Sequence, residues 1–323
     1  MSQSKPEFNV LVLGNVRAEG IDLLEQFARV TTIPEPVEKA EVLGCIQDMD
    51  AILHKVGFID QEVVNQQTKL QIIARHGVGL DYLDLPVIDA AGIPVSTTQN
   101  ANTNAVAEAT IGLALSLMRH LNLGEAMLKR EHKWSRESLM GREIKGSTIG
   151  IVGYGRIGRL VAQYYAVFGA HIIVYDAFPA ALENCAYETA SLEKLLRVAD
   201  IVSLHCPLMS ETHHLINAER LALMKKTSIL INTSRGALID KAALADAAQA
   251  GDIAGAAIDV FDVEPPDFSD ALFSCDNILT TPHIAAMTLQ AQTAMAVGAA
   301  EEIRCVLVDN LSPSNNVFDT DKK

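Results

Sequence analysis

Residues 147–169 read STIGIVGYGRIGRLVAQYYAVFG, and two periodicities meet inside them. The first seven residues are apolar and β-prone, the pattern of a buried strand. The last fourteen repeat apolar residues at helical spacing. Between them lies Gly153-Tyr154-Gly155-Arg156-Ile157-Gly158, a GxGxxG. In such a turn the first glycine permits the sharp reversal, the second lets backbone approach a pyrophosphate, and the third lets helix pack on strand. The helix start then offers N–H groups and a positive dipole end to phosphates. The stretch predicts a strand, a dinucleotide-binding turn and a helix.

The following strand, HIIVYD (171–176), ends in Asp176, eighteen residues after Gly158. A carboxylate there accepts hydrogen bonds from ribose hydroxyls and repels a 2′-phosphate. Ala177 and Phe178 supply no compensating cation, so NAD is favoured over NADP. The competing reading is a loop aspartate that caps a turn.

Outward from this unit, short apolar runs alternate with helical patterns. Strands are expected at 8–14, 51–55, 71–76 and 94–97, then at 147–153, 171–176, 201–206, 228–233, 254–260 and 277–282. Helices are expected at 17–28, 61–68, 156–168, 191–198, 240–249 and 288–308, and a long helical stretch over about 102–140. Such alternation predicts parallel sheets covered on both faces. Ten strands exceed one open sheet with these connections, so two doubly wound α/β domains are expected. Residues 102–288 form the nucleotide-binding one, and 1–101 with 289–323 form the other, the last helix crossing back to it.

Bulk properties narrow the partners. Of 323 residues, 40 are acidic and 26 basic, a net charge of −14 that disfavours nucleic acid and anionic membranes. Cys45, Cys185, Cys206, Cys275 and Cys305 are scattered without a CxxC, which argues against disulfides and against a metal site. A cytoplasmic location is the simplest reading of those thiols. The start, MSQSKPEFNV, lacks the pattern of a secretory signal. The last ten residues alone have a disorder-like composition.

Three polar residues sit at strand ends in the nucleotide-binding half: Arg235 after SILINTS, Glu264 in AIDVFDVEPP, and His283 in ILTTPHIAA. Ligands of doubly wound sheets bind beyond the carboxyl ends of strands. Arginine grips carboxylates with two prongs, histidine exchanges protons near neutrality, and a carboxylate beside it orients the ring. Gly236 is read as allowing a tight turn away from the arginine. Singly, each residue is as well explained as an ion-pair partner, a turn residue or a structural histidine. Behind a dinucleotide fingerprint they form one chemical set.

Together with GVGLDYLDL (77–85), NTNAVAEATIG (102–112), HCPLMSETHHLI (205–216), NTSRGALID (232–240), DVFDVEP (259–265) and PHIAA (282–286), these motifs run almost end to end. The chain resembles the NAD-dependent D-isomer-specific 2-hydroxyacid dehydrogenases. That family includes phosphoglycerate dehydrogenases, glyoxylate and hydroxypyruvate reductases and D-lactate dehydrogenases. The resemblance implies a Rossmann NAD-binding domain and a flavodoxin-like substrate domain. It implies catalysis by Arg235, Glu264 and His283. It implies NAD contacts at Gly153, Gly155, Arg156, Ile157, Gly158, Asp176, Cys206, Pro207, Thr233, Ser234, Arg235, Asp259, His283 and Ala286. Binding of the substrate carboxylate falls to the backbone of Val78 and Gly79 together with Arg235, and no metal is implied. A homodimer through the 102–140 stretch is implied as well; Ile111, Leu113, Leu115, Leu117 and Met118 fit a buried or interface helix there. Tyr82, Asp262, Ala285 and Ala286 depart from the family pattern, and Tyr82 puts the shape of the loop after the GVG turn in doubt.

The expected reaction is hydride transfer between NAD(H) and C2 of a small anionic 2-hydroxy or 2-oxo acid. Lys55 and Arg75 end two strands of the first domain, and His54 and His76 neighbour them as further pocket candidates. Two readings stand side by side: the cations bind a second anionic group, as 3-phosphoglycerate carries, or they are ordinary strand-end charges. If the substrate is 3-phosphoglycerate, too few residues follow 310 for a regulatory domain, and the chain is a short form. A glyoxylate, hydroxypyruvate or D-lactate type reductase is the enzymatic alternative. An NAD(H)-sensing corepressor-like protein, which keeps the same triad, is the non-enzymatic one.

Overall fold

The structure, a computed structural model, describes residues 7–319; residues 1–6 and 320–323, at the ends of the expected substrate domain, lie outside them. The chain divides into two compact units. One holds the chain up to Asn102 together with that from Thr288 on, and the other is Thr103–Met287.

The first unit is built on five strands, β1 (Phe8–Leu13), β2 (Ala28–Ile33), β3 (Ala51–His54), β4 (Ile72–Arg75) and β5 (Val95–Thr97), in the order β2-β1-β3-β4-β5. Every pair is parallel. This is the flavodoxin-like winding. Side chains alternate as a two-residue period demands. Val10 and Val12 face one core with Leu24, Ala299, Ala300, Ile303 and Leu307, whereas Leu11 and Leu13 face the other with Val42, Ile46 and Val63. The helix Leu289–Leu307 buries Ala291, Met295, Ala296, Ala299, Ala300, Ile303 and Leu307 as one stripe. Its alanines let the helix Ala18–Leu24 come close. A Cβ added at Gly20 would stand 2.7 Å from the Ala296 carbonyl oxygen.

The second unit carries β6 (Thr148–Val152), β7 (His171–Tyr175), β8 (Glu188–Thr189), β9 (Ile201–Leu204), β10 (Ile229–Asn232), β11 (Gly255–Ile258) and β12 (Ile278–Thr280). Their order is β12-β11-β10-β9-β6-β7-β8, all parallel. The winding reverses between β6 and β9, the switch point where doubly wound sheets bind ligands.

Two expectations need correction. The helix expected at 17–28 stops at Leu24, and its last residue opens β2, an unforeseen strand. The stretch 102–140 is not one helix. It breaks at His120, whose φ is 51°, into Thr103–Met118 and Leu121–Lys129, with a short 3-10 turn at Glu137–Leu139. Ile111, Leu117 and Met118 are buried in the core of their own unit. The exposed apolar surface lies further on instead, at Leu121, Leu128, Trp134 and Met140. Among the described residues, no helix is long and apolar enough to cross a membrane.

Candidate active site

The glycine turn is built by close approach. Gly153 has φ +93°, and a Cβ there would meet the Cys206 amide nitrogen at 2.5 Å; at Gly158 it would meet the Gly153 carbonyl oxygen at 2.0 Å. Gly155 differs, since a Cβ there would meet nothing within 4 Å. Gly155 also N-caps the helix Arg156–Val167 without a side-chain cap. A helix start capped by a glycine, beside open space, fits the phosphates of a dinucleotide. Arg156 is exposed there, while Ile157 packs towards the core. Asp176 leaves β7 with one carboxylate oxygen accepting the Tyr154 N–H at 2.7 Å and the other the Phe178 N–H at 2.9 Å. It therefore caps its own turn and fastens to the glycine turn, and its oxygens retain lone pairs for further donors.

The loops after β9 and β10 are tied together. The Ser234 hydroxyl donates to the Cys206 carbonyl at 2.7 Å, and the Thr233 hydroxyl lies 3.0 Å from that of Thr110. Burial pushes the Cys206 thiol up to about 11, so it is no nucleophile. Pro207 is exposed, and its carbonyl accepts the Thr212 hydroxyl. Asn232, fully buried at the end of β10, was not singled out from the sequence, yet it shapes this loop. Its amide donates to the Arg235 carbonyl at 2.8 Å, and its oxygen accepts the Ser234 N–H at 3.0 Å. The available signal was a polar residue closing a run of buried apolar ones. The Arg235 guanidinium is half-buried and donates to the Ser234 carbonyl. Gly236 does not serve as a left-handed turn. A Cβ there would stand 2.2 Å from the Phe261 carbonyl carbon, so the glycine lets the arginine loop lie against the loop that carries Glu264.

The Glu264 loop after β11 and the turn after β12, which carries His283, together deliver the acid–base pair. His283 Nδ1 lies 2.7 Å from Glu264 Oε2, with side chains 50% and 28% exposed. Oε1 of the same glutamate accepts the Phe261 N–H. The Glu264 hydrogen bond raises the pKa of His283 against the opposing effect of burial, and the field of Arg235 acts to lower it. Burial alone would raise Glu264, but the bonds from His283 and Phe261 outweigh it and hold the carboxyl below its ordinary range. The field of Arg235 reaches both partners, so the structure brings the three residues into one electrostatic neighbourhood. His283 also has φ 52°, a left-handed conformation uncommon for a residue with a side chain. Its N–H donates to the Asp259 carbonyl at 2.8 Å.

Asp259, expected at the cofactor, is 1% exposed. Its carboxylate accepts the Thr281 hydroxyl at 2.7 Å, the Ile284 N–H at 2.8 Å and the Ala285 N–H at 2.9 Å. It holds the turn carrying His283, and the half-buried Ala286 follows directly. Among the described residues, no cluster of three or more histidine, cysteine or acidic side chains could hold a metal.

In the first unit, Val78 is exposed at the tip of a turn whose Gly77 has φ +121°. The Thr98 hydroxyl accepts the Gly77 N–H at 2.8 Å, and Arg75 Nε donates to the Gly79 carbonyl at 2.6 Å. Tyr82 packs edge-on against Phe58, which defines the loop beyond. Lys55 pairs with Glu35 at 2.7 Å. His54 and His76 are not open pocket walls. His54 is fully buried and bonded to the Gly57 carbonyl, and desolvation lowers it to about 3 and His76 to about 4, so both stay neutral.

Comparison with known proteins converges on one family. Residues 111–285 match the model for the D-isomer specific 2-hydroxyacid dehydrogenase, NAD binding domain. The chain is 38% identical over 307 residues to D-3-phosphoglycerate dehydrogenase of Mycobacterium tuberculosis, covering 94% of this chain but 58% of that protein. It therefore spans little more than half the length of that relative. It is 37% identical to hydroxypyruvate reductase of Thermotoga maritima, covering 88% of this chain and 94% of that one. Among solved structures, the TT0316 protein from Thermus thermophilus superposes with a TM-score of 0.90 at 36% identity, over 96% of this chain and 99% of that one. The chain belongs to the D-isomer specific 2-hydroxyacid dehydrogenase family.

Proposed function

We propose that this protein transfers a hydride reversibly between NAD(H) and C2 of a 2-hydroxy or 2-oxo acid. The observation that carries the reading is the 2.7 Å His283–Glu264 pair, at the carboxyl ends of the strands of the unit that holds the glycine turn. Bound NADH supplies the hydride. Arg235 grips the substrate carboxylate and polarises the C2 oxygen, stabilising the charge that develops there. His283 Nδ1–H donates to Glu264, which leaves Nε2 to give a proton to that oxygen on reduction and take it back on oxidation. Glu264 fixes the ring and raises its pKa, which favours the protonated form. In the first unit, the backbone N–H groups of Val78 and Gly79 are the proposed second grip on the carboxylate. The relative matched along 94% of its own length is named hydroxypyruvate reductase, which supports the reaction class.

The test is NADH and NADPH oxidation with glyoxylate, pyruvate, hydroxypyruvate and phosphohydroxypyruvate. Turnover of at least one acid with NADH in preference to NADPH is the expected result. No turnover of any of them contradicts the reading. Self-association through the segment 121–140 accompanies the proposal. Its helix Leu121–Lys129 buries no residue, and Trp134 and Met140 are each 80% exposed. Sedimentation of a Trp134→Lys variant against the parent chain checks this, since an unchanged mass contradicts it.

A further inference from the structure

We propose that Glu35 sets the substrate class: it cancels one of the two cations at the carboxyl edge of the first sheet, so the protein selects 2-oxo acids whose tail beyond C2 carries no charge. The inference rests on the hydride-transfer reading above and deepens it. Lys55 follows β3 and Arg75 ends β4, on neighbouring parallel strands whose register sets His54 beside Arg75. The fields of both cations reach His76, which places them in one neighbourhood. Alone, that pair would suit a phosphate tail, which brings up to two negative charges.

Glu35 changes the balance. It stands just beyond the end of β2, and its Oε1 accepts both Lys55 Nζ at 2.7 Å and the Asn15 N–H at 3.2 Å. Lys55 Nζ also donates to the Asn15 carbonyl at 2.9 Å. The ammonium is thereby latched across the ends of three strands, with its side chain only 19% exposed. Arg75 donates Nε to the Gly79 carbonyl, and Nη1 to the carbonyls of His54 and Lys55. Its guanidinium shapes the GVG turn. With both histidines neutral, these side chains carry a net single positive charge. A phosphate here must face the Glu35 carboxylate or break its pair with Lys55, whereas a hydrogen, methyl or hydroxymethyl tail meets no such obstacle.

Hydroxypyruvate and phosphohydroxypyruvate differ by one phosphate and make the test. The parent protein should use hydroxypyruvate with a kcat/KM at least tenfold higher. Glu35→Gln keeps an acceptor for Asn15 and Lys55 but removes the charge. It should shift the ratio on the order of tenfold towards the phosphorylated acid. Lys55→Gln leaves Glu35 uncompensated and should shift the ratio the opposite way; this variant decides the matter if Glu35→Gln does not fold. Equal or better use of phosphohydroxypyruvate by the parent protein, or an unchanged ratio in these variants, overturns the inference while leaving the reaction class intact. Absence of turnover with either acid overturns the reaction class and the inference with it.

Discussion

Replacing Asp259 by asparagine should separate the two roles a buried carboxylate can play in this site. The aspartate is 1% exposed and accepts three hydrogen bonds, from Thr281 and Ile284 on one oxygen and from Ala285 on the other. Asparagine can keep the first two. Its amide group then faces the Ala285 N–H, 2.9 Å away in the parent, and donor meets donor. One buried N–H left without an acceptor costs about 1–3 kcal/mol. Two charge-assisted bonds weaken to neutral ones, while relief of a buried charge offsets part of that loss. A net destabilisation of about 2 kcal/mol follows, or roughly a 4–8 °C fall in Tm for a unit of this size. The consequence for activity comes through His283, two residues before Ala285. A ring displaced by about 1 Å loses on the order of 10²-fold in kcat. Thermal unfolding by circular dichroism, hydroxypyruvate turnover, and NADH affinity by fluorescence titration give the three readings. A lower Tm and kcat with NADH affinity within about threefold support the holding role. An unchanged Tm with NADH affinity reduced tenfold would show that the carboxylate serves the cofactor instead.

Further outcomes follow from the same geometry. Arg235→Ala should reduce kcat/KM for every 2-oxo acid by about 10²–10³-fold or more while NADH still binds, as titration would show. Glu264→Gln removes the group that raises the pKa of His283. Reduction needs the protonated ring, so its decline with rising pH should begin at lower pH, and oxidation should extend further into acid; superimposable pH profiles would contradict this. Gly155→Ala, facing open space, should keep the parent Tm and weaken NADH binding about tenfold, or 1.4 kcal/mol. Gly158→Ala, whose Cβ would meet a carbonyl oxygen at 2.0 Å, should instead lose about 1–3 kcal/mol of stability.

Much of the fold was legible because its strands are buried on both faces and read as short apolar runs, as AIL in β3 and ILI in β10 do. The two unforeseen strands lack that signal. In β2, ARVTTI at a sheet edge, only Ala28 and Ile33 are buried, and β8 is two exposed residues. The break at His120 leaves no trace in periodicity, because apolar residues continue through Leu121 and Leu123. At the site, the residue types and strand-end positions of Arg235, Glu264 and His283 could be read along the chain. What could not be read was which backbone comes near which. The Gly236 contact with Phe261, the Asn232 clamp and the Asp259 hold on residues 281–285 all join segments more than twenty residues apart, or depend on how a loop folds back. The pairing of Lys55 with Glu35, twenty residues upstream, was hidden for the same reason.

The central claim is that His283 delivers the proton in NADH-dependent reduction of a 2-oxo acid. Hydroxypyruvate-driven NADH oxidation by the parent protein and by His283→Asn, with NADH binding measured alongside, tests it most directly. The account predicts turnover by the parent, a loss of about 10²–10⁴-fold in the variant and unchanged NADH binding. Equal rates in the two proteins would contradict it.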